Sequence, residues 1–492
     1  MTTCAKIIAT SKAAFGTSGV RGLVTELDDA TCFAYTTAFL NHMKTNKGLN
    51  VGSRVWVGHD LRPSSPRITN ACIAAIEHAG MKAELCGEIP TPALAFCALG
   101  NKEPAIMITG SHIPFDRNGM KFYRPDGELM KEDEAPIINS VSAFPTELFS
   151  GKTLKTSPNK PINNIAITQW RERYLSTFPK LLNGLRIGHY QHSAAGRDLL
   201  ASLLQELGAD VVPLGRSNEF IPIDTEAVSN ADKQQAKSWS KEHSLDLIIS
   251  TDGDGDRPLL ADENGTYFRG DALGGFAAHS LKATVISTPV SSTTALEKSG
   301  LFTKIHRTKI GSPPVIIAMQ EAAKDSRETV VGFEPNGGFL TASTILSPMN
   351  ENSLSPLPTR DALLPILATI ALSKVRSLKL SELPSLFPNR ATASDRIENT
   401  PRKTSLAILA HLKRDLNNAA ILTPEGVAPI HLDETDGLRM TYPNGDIVHL
   451  RPSGNAPELR FYAECENDES AQVLQDHTRK VLNEMCSNGS FG

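Results

Sequence analysis

The chain alternates short apolar runs with longer segments in which apolar residues recur at helical spacing. The apolar runs predict strands at residues 54–58, 104–108, 185–190, 245–250, 283–288 and 329–333. Helical periodicity predicts helices at residues 66–78, 165–179 and 197–207. This alternation is typical of α/β domains, in which helices cover sheets of mostly parallel strands.

The pattern changes after residue 380 to an α+β texture, with a strand at 390–397, a helix at 402–416, a hairpin near 442–445 and a final helix at 469–485. A single core rarely grows beyond about 250–300 residues. A chain of 492 residues with a polar linker at 152–161 therefore predicts several domains. We expect three similar α/β domains with mixed, mostly parallel sheets and a C-terminal α+β domain around a central cleft, at residues 1–158, 159–268, 269–380 and 381–492.

Composition limits the partners and the location. The net charge of −4 disfavours nucleic acid or a membrane surface as the main partner. Seven cysteines without metal-site spacing indicate reduced thiols and a cytoplasmic protein. The first residues lack the apolar core of a signal peptide, and the apolar stretch at 362–372 is too short to span a bilayer.

The most informative motif is the loop Thr-Gly-Ser-His-Ile-Pro at residues 109–114, called the serine loop below. Its glycine and proline favour a turn after the predicted strand 104–108, which presents the Ser111 hydroxyl. His112 follows directly, and Lys121 comes shortly after. Because a serine after a strand often only caps a turn, this motif gains its weight from three other loops.

The aspartate loop, residues 251–257, carries Asp252, Asp254 and Asp256 at alternate positions, followed by Arg257. Three carboxylates this close repel one another unless a cation compensates them. The spacing matches the first ligands of an EF-hand, but Arg257 stands where that loop needs glycine, and strands flank the segment instead of helices. We therefore expect these three aspartates to converge on one hard cation, and a calcium loop of the EF-hand type is disfavoured.

Two further loops carry groups suited to a sugar phosphate. The sugar loop, residues 332–338, places Glu334 and Asn336 in a glycine-rich bend, a pair suited to vicinal hydroxyls. The phosphate loop, residues 451–457, offers the donors that a phosphate dianion needs in Arg451, Ser453, Gly454 and Asn455. Considered alone, either loop could equally be an ordinary turn.

In this order the four loops closely resemble those of the α-D-phosphohexomutase superfamily, the phosphoglucomutases and phosphomannomutases. The resemblance covers essentially the whole chain. It includes the opening segment 15–22, with Arg21 in the family's basic position, and the segment 58–65, which is similar to an Arg-Asp-x-Arg motif. Lys309 begins a segment that matches a lysine-x-glycine-histidine pattern of some relatives, with Ser312 in place of the histidine.

Residues and resemblance together imply a phosphohexomutase that interconverts hexose 1-phosphate and hexose 6-phosphate. Ser111, carried as phosphoserine, is expected to transfer its phosphoryl group through a hexose 1,6-bisphosphate, with one Mg²⁺ held by Ser111 and the aspartates. Positive charge or proton transfer is expected from Lys121, Arg257, Arg21 and His112. Sugar-phosphate binding is expected from Glu334, Asn336, Lys309, Arg451, Ser453, Gly454 and Asn455. The resemblance also implies a monomer or homodimer.

Departures from the family pattern leave the sugar open. Gly338 stands where many relatives have a histidine, and Asn336 stands where serine is usual, so the sugar loop also resembles that of phosphoacetylglucosamine mutases. Asn455 and Ala456 replace a Thr-Glu pair before Pro457. Mannose is the expected sugar, with glucose, glucosamine and N-acetylglucosamine as alternatives. A serine-nucleophile phosphatase and a non-catalytic sugar-phosphate-binding protein are the other function classes.

Overall fold

The computed structural model describes residues 2–16, 19–453 and 457–488. The chain forms two compact units. The first runs to Ala283 and includes Met319–Ser381, and the second comprises Thr284–Ala318 and the chain from Glu382. Among the described residues, none of the helices combines the length and the apolar character that crossing a bilayer requires.

The first unit opens with a mixed sheet and its covering helices. The elements are α1 (Cys4–Ala9), β1 (Ala14–Phe15), β2 (Val20–Leu23), α2 (Asp29–Lys47), β3 (Arg54–His59), α3 (Ser65–His78), β4 (Lys82–Glu88), α4 (Thr91–Gly100), β5 (Ala105–Ile108), β6 (Arg117–Arg124), β7 (Gly127–Glu128), α5 (Lys131–Ile138), β8 (Phe149–Ser150) and β9 (Thr153–Leu154), with a 3₁₀ turn at Thr146–Leu148. The strand order is β1-β2-β6-β5-β3-β4, with β7 on β6. Strand β3 is parallel to β4 and β5, and the other pairs in this sheet are antiparallel.

The serine loop joins β5 to β6. These strands pair antiparallel because so short a connection cannot cross over the sheet. The register aligns Met107 with Lys121, and on the other side of β6 it aligns Arg21 with Gly119. Lys121 and Arg21 are therefore carried on strands next to the serine loop.

A packed helix layer supports this sheet. Helix α2 begins after Asp28, whose side chain accepts a hydrogen bond from the Thr31 backbone at 2.8 Å. It ends at Gly48, whose φ of 69° is the left-handed conformation typical of helix termini. Phe39 on α2 is fully buried, and its ring centroid lies 4.8 Å from that of Phe122 on β6. Burying such a ring stabilises the fold by about 1.5–3 kcal/mol, and the contact packs α2 against the strand that carries Lys121.

The second sheet carries the aspartate loop. Its elements are α6 (Ile165–Thr177), β10 (Arg186–Tyr190), α7 (Arg197–Glu206), β11 (Asp210–Leu214), α8 (Asn230–His243), β12 (Leu247–Thr251), β13 (Pro258–Ala261) and α9 (Gly270–Ser280). The strand order is β11-β10-β12-β13. Strand β10 is parallel to β11 and β12, whereas β12 and β13 are antiparallel. Because Thr251 pairs with Pro258, the aspartate loop is the tight connection of a hairpin.

The chain continues with β14 (Val285–Pro289), α10 (Ala295–Lys298), β15 (Lys304–Thr308) and α11 (Ser312–Ala322), and this stretch belongs to the second unit as far as Ala318. Strands β14 and β15 are parallel. The first unit resumes with β16 (Val330–Phe333), β17 (Phe339–Thr341), β18 (Ile345–Leu346), β19 (Ser353–Leu354), β20 (Leu357–Asp361) and α12 (Leu363–Arg376). The sugar loop connects the antiparallel strands β16 and β17, and β17 also pairs with β20.

The C-terminal part of the second unit is α+β. After a 3₁₀ helix at Leu380–Leu386 it contains β21 (Ala391–Ile397), α13 (Arg402–Arg414), α14 (Leu416–Ala419), a 3₁₀ turn at Ala420–Leu422, β22 (His431–Asp433), β23 (Leu438–Thr441), β24 (Ile447–Pro452), β25 (Leu459–Cys465) and α15 (Asp468–Asn488). Its sheet has the order β21-β25-β24-β23-β22, with antiparallel neighbours throughout. The phosphate loop begins at the end of β24.

The mixed α/β sheets and the C-terminal α+β texture confirm the predicted fold class. The predicted helix at 402–416 is wrong at its end. It stops at Arg414, because Asp415 is extended (φ −142°, ψ 130°) and caps α14 by accepting from the Asn417 backbone at 2.9 Å. The four domain boundaries stay a prediction.

Candidate active site

Arg62 fixes the shape of the serine loop. Its side chain is 1% exposed, and its two terminal nitrogens donate to four carbonyl oxygens. These belong to Ser111 (2.9 Å), Ile113 (2.6 Å), Pro114 (2.7 Å) and Arg117 (2.9 Å). A Cβ atom at Gly110 would lie 2.6 Å from Arg62 Cζ, so only glycine leaves room for the guanidinium against the backbone.

Asp60 and Phe220 hold Arg62 in turn. Asp60 Oδ2 accepts from Arg62 Nε at 3.2 Å, and both side chains are fully buried. The guanidinium carbon lies 3.9 Å from the centroid of the Phe220 ring, within the range of a cation–π contact. The sequence contains this pair in the segment 58–65, but its local pattern does not reveal that Arg62 reaches the serine loop.

Ser111 contacts the aspartate loop directly. Its φ of 54° is left-handed, which is uncommon for a residue with a side chain, and its backbone donates to Thr109 Oγ1 at 2.7 Å. Its hydroxyl donates to Asp252 Oδ2 at 2.6 Å, across 141 residues of chain. Asp252 Oδ1 accepts from the backbone N–H groups of Asp256 and Arg257, both at 3.2 Å. The predicted nucleophile and the predicted metal ligands are thus in one place.

The three aspartates converge. Asp252, Asp254 and Asp256 are buried, and one carboxylate oxygen from each lies within 4.8 Å of the others. Burial raises the pKa of Asp252, and the charges of Asp254 and Asp256 raise it further. The Oδ1 atoms of Asp254 and Asp256 are buried and accept no hydrogen bond from any described residue. Hard oxygen ligands with unused lone pairs fit Mg²⁺, so the residues present match the ion that the sequence predicts.

Lys121 lies between two of these carboxylates. Its Nζ is 2.6 Å from Asp254 Oδ2 and 2.5 Å from Asp256 Oδ2. Burial alone would lower the pKa of Lys121, but the two carboxylates outweigh burial and hold this pKa above its ordinary value. Asp254 also accepts from Thr91 Oγ1 at 2.7 Å. Burial would raise its pKa, but Lys121 and these hydrogen bonds hold it below the ordinary value.

His112 and two arginines complete the cationic side. His112 Nδ1 lies 3.3 Å from Ser111 Oγ and 2.9 Å from Arg257 Nη1. Because a guanidinium only donates, Nδ1 is the acceptor and the neutral ring carries its proton on Nε2. Burial, and then the charge of Arg257, lowers the pKa of His112 to about 4. Burial and the same charge lower the pKa of Arg21 to about 10, which leaves Arg21 charged at neutral pH.

The sugar loop is joined to this group through Arg360. Glu334 is 2% exposed and accepts from Arg360 Nε at 2.5 Å, while Arg360 Nη1 lies 3.8 Å from Asp256 Oδ2. Asn336 Oδ1 accepts from the Gly338 backbone at 2.9 Å, and the Asn336 carbonyl accepts from Thr225 Oγ1 at 2.7 Å. Glu334 and Asn336 therefore lie in a closed, buried loop beside the aspartates.

Models of the four domains of the phosphoglucomutase/phosphomannomutase family match the chain. Alpha/beta/alpha domains I, II and III match residues 12–145, 170–265 and 269–389, and the C-terminal domain matches residues 400–481. The chain belongs to this family. It is therefore an enzyme of the phosphohexomutase class, an intramolecular phosphotransferase that acts on sugar phosphates.

Relatives of this phosphohexomutase match it over nearly their whole length. A phosphomannomutase of Salmonella muenchen is 45% identical over 467 residues, 93% of either chain. A phosphomannomutase of Sinorhizobium fredii (strain NBRC 101917 / NGR234) is 43% identical over 476 residues, 95% of this chain and 98% of its own. A crystal structure of a family protein from Burkholderia thailandensis superposes with a TM-score of 0.74 at 18% identity, covering 99% of this chain and 98% of that one. At that identity it shows the shared fold.

The remaining predicted binding residues of the phosphohexomutase belong to its second unit. Lys309 is exposed, and Ser453 is buried with its backbone donating to the Glu458 carbonyl at 2.8 Å. Arg451 Nε lies 2.9 Å from Asp436 Oδ2 without the alignment of a hydrogen bond, so the two form an ion pair. Gly454 and Asn455 lie outside the described residues.

Proposed function

We propose that the protein interconverts hexose 1-phosphates and hexose 6-phosphates, with mannose phosphates preferred, through phosphoserine at Ser111. The observation that carries this proposal is the 2.6 Å contact of Ser111 Oγ with Asp252 Oδ2, because it joins the nucleophile to the carboxylate trio. A serine hydroxyl is a weak nucleophile unless a neighbouring base accepts its proton. Asp252 is within hydrogen-bond reach for that role.

The proposed chemistry conserves phosphate. The bond between phosphorus and Ser111 Oγ breaks as a bond from phosphorus to the free sugar hydroxyl forms, and the hydroxyl proton passes to a base. The resulting hexose 1,6-bisphosphate turns over and returns its other phosphoryl group to Ser111. The same bisphosphate would phosphorylate an enzyme that has lost its phosphate, so it serves as activator as well as intermediate.

Charge around the reacting group supports this chemistry. Asp252, Asp254 and Asp256, together with Ser111, would hold one Mg²⁺, which when bound would neutralise charge on the transferring phosphoryl oxygens. Lys121 and Arg257 add permanent positive charge at the same place. Protonated Lys121 acts here as a cation, and it becomes a proton donor when a sugar oxygen needs one.

The sugar and its second phosphate have separate binding groups in the proposal. Glu334 and Asn336 would read vicinal hydroxyls, because a carboxylate and an amide offer paired acceptors and donors. Lys309, Arg451 and Ser453 would hold the phosphate that is not reacting.

Mannose is the proposed sugar because the two relatives at 45% and 43% identity are both named phosphomannomutases.

We also propose a cytoplasmic monomer or homodimer. All seven cysteines lie in the described part of the chain and are unpaired, and six of them are buried, which suits a reducing compartment.

Two measurements test the function. At fixed Mg²⁺, mannose 1-phosphate should turn over faster than the 1-phosphates of glucose, glucosamine and N-acetylglucosamine; fastest turnover of N-acetylglucosamine 1-phosphate would overturn the mannose assignment. Intact-mass analysis should detect one phosphate that Ser111→Ala loses, together with mutase activity, and that the exposed control Ser150→Ala keeps. Release of inorganic phosphate without isomerised product would identify a phosphatase instead.

A further inference from the structure

Arg360 is a buried arginine that the proposed chemistry does not use. It lies on β20 and is 4% exposed. Its Nε donates to Glu334 Oε2 at 2.5 Å, and its Nη1 lies 3.8 Å from Asp256 Oδ2. One guanidinium therefore links the carboxylate of the sugar loop to a carboxylate of the aspartate trio.

The sugar loop makes room for this side chain at Gly338. A Cβ atom there would lie 2.5 Å from Arg360 Cδ and 2.7 Å from its Cγ. The φ of Gly338 lies outside the left-handed range, so the position needs glycine for space and not for its backbone conformation. The backbone of Gly338 still closes the loop, because its N–H donates to Asn336 Oδ1 at 2.9 Å and its carbonyl accepts from the Glu334 backbone at 3.2 Å.

The charges of the pair are matched. Glu334 is 2% exposed, and removing one partner of so deeply buried an ion pair would leave the other charge uncompensated. Burial alone would lower the pKa of Arg360, but Glu334, and then Asp256, outweigh it and keep the pKa above its ordinary value. Arg360 is therefore a permanent cation whose rigid fork fixes the orientation of the Glu334 carboxylate.

We propose that Arg360 and Gly338 act as a matched pair that positions Glu334 for the sugar hydroxyls. Arg360 is a positioning residue, since it acts on the sugar through Glu334. Gly338 has no side chain and therefore leaves room for Arg360. The inference rests on the proposed function of Glu334 as the reader of the sugar. Loss of either partner lets the Glu334 carboxylate rotate and weakens binding of the sugar before and during phosphoryl transfer.

A double-mutant cycle on the full-length enzyme tests the pair. Gly338→Ala and Arg360→Ala should each raise KM for mannose 1-phosphate at least tenfold, while kcat changes less than KM. The double variant should be no worse than Arg360→Ala alone, because the added methyl group no longer meets Arg360 Cδ. Additive effects, or a KM of Gly338→Ala within twofold of wild type, would overturn the proposal.

Further readouts separate positioning from a structural role. Arg360→Lys keeps the charge and most of the volume, so it should retain the wild-type melting temperature and show a KM between those of wild type and Arg360→Ala. Guanidinium added at millimolar concentration should lower the KM of Arg360→Ala. A lowered melting temperature with an unchanged KM would show that the ion pair is only structural, and would refute the inference.

The controls also separate this inference from the proposed function. Arg171→Ala removes a half-buried arginine that forms an ion pair with Glu206 outside the site, and it should leave KM unchanged. If Ser111→Ala loses the phosphate and the activity while the Arg360 and Gly338 variants behave as wild type, the inference alone fails. If Ser111→Ala keeps full mutase activity, the proposed function fails.

Discussion

Replacing Arg62 by methionine should lower stability and mutase activity together, although the hydrogen bonds of Arg62 to the serine loop go to backbone carbonyls only. The substitution keeps most of the side-chain volume but removes the hydrogen bonds to four carbonyls around the serine loop. It also leaves the fully buried Asp60 carboxylate without its cation. Breaking a buried pair in this way costs about 3–5 kcal/mol. A displacement of Ser111 by about 1 Å would reduce kcat by about a hundredfold.

Urea unfolding and a coupled mutase assay measure both effects of Arg62→Met. The double variant Asp60→Asn, Arg62→Met is the matched control. It removes the uncompensated charge of Asp60, but the four backbone carbonyls still lack the guanidinium donor. It should recover much of the lost stability but little of the lost kcat. A single variant that unfolds at the wild-type urea midpoint and keeps kcat within threefold would refute the claim that Arg62 fixes the serine loop.

Three further changes have definite expected outcomes. Asp254→Asn should abolish calorimetric Mg²⁺ binding and lower kcat about a thousandfold, since about 4 kcal/mol of charge stabilisation is lost; unchanged Mg²⁺ binding would contradict this assignment. Lys121→Met should lower kcat but tighten Mg²⁺ binding, because it removes a cation 2.5 Å from Asp256 Oδ2, and weaker binding would contradict the reasoning. Burial lowers the pKa of His192 to about 4. As pH falls below about 6.5, His192 is therefore protonated in the unfolded chain before it is protonated in the folded protein. The free energy of unfolding should decrease by up to about 3 kcal/mol between about pH 6.5 and pH 4. Urea midpoints of wild type and His192→Gln between pH 4.5 and 7 should converge at the acidic end, and parallel curves would disprove this contribution.

A residue's role could be predicted from the sequence when the groups it acts with lie close to it along the chain. The Ser111 and aspartate loops could be predicted, because each places its chemistry within a few consecutive residues after a buried strand. The contact of Ser111 with Asp252 could be expected, because phosphoryl transfer through Ser111 requires a cation site next to the serine hydroxyl. The end of the helix at Arg414 could not, because the side chain of Asp415 competes for the backbone and ends a periodic pattern that continues to Leu416.

Residues that act across strands escape such reasoning. Thr91 donates to Asp254 across 163 positions, and Arg62 reaches carbonyls about fifty positions away. No sequence motif flanks Arg360. The pairing of β17 with β20 brings it next to the sugar loop that carries Glu334. Gly338 is the sequence signal that accompanies Arg360, because the family pattern that the sequence resembles leads one to expect a histidine there. A glycine at this position indicates that a neighbouring group needs the space, and the structure shows that this group is the Arg360 side chain.

The charge balance of the first unit's site explains why a metal ion and a phosphoryl group suit it together. Four carboxylates meet four basic side chains, and the groups are Asp252, Asp254, Asp256, Glu334, Lys121, Arg257, Arg21 and Arg360. With these charges formally cancelled, a phosphoserine dianion alone would bury two negative charges, and a divalent ion alone would bury two positive ones. Bound together they keep the site neutral, which avoids the large penalty of desolvating an uncompensated charge. The aspartate trio would therefore serve the phosphorylated serine, and the basic side chains around it offset the formal charge of its carboxylates.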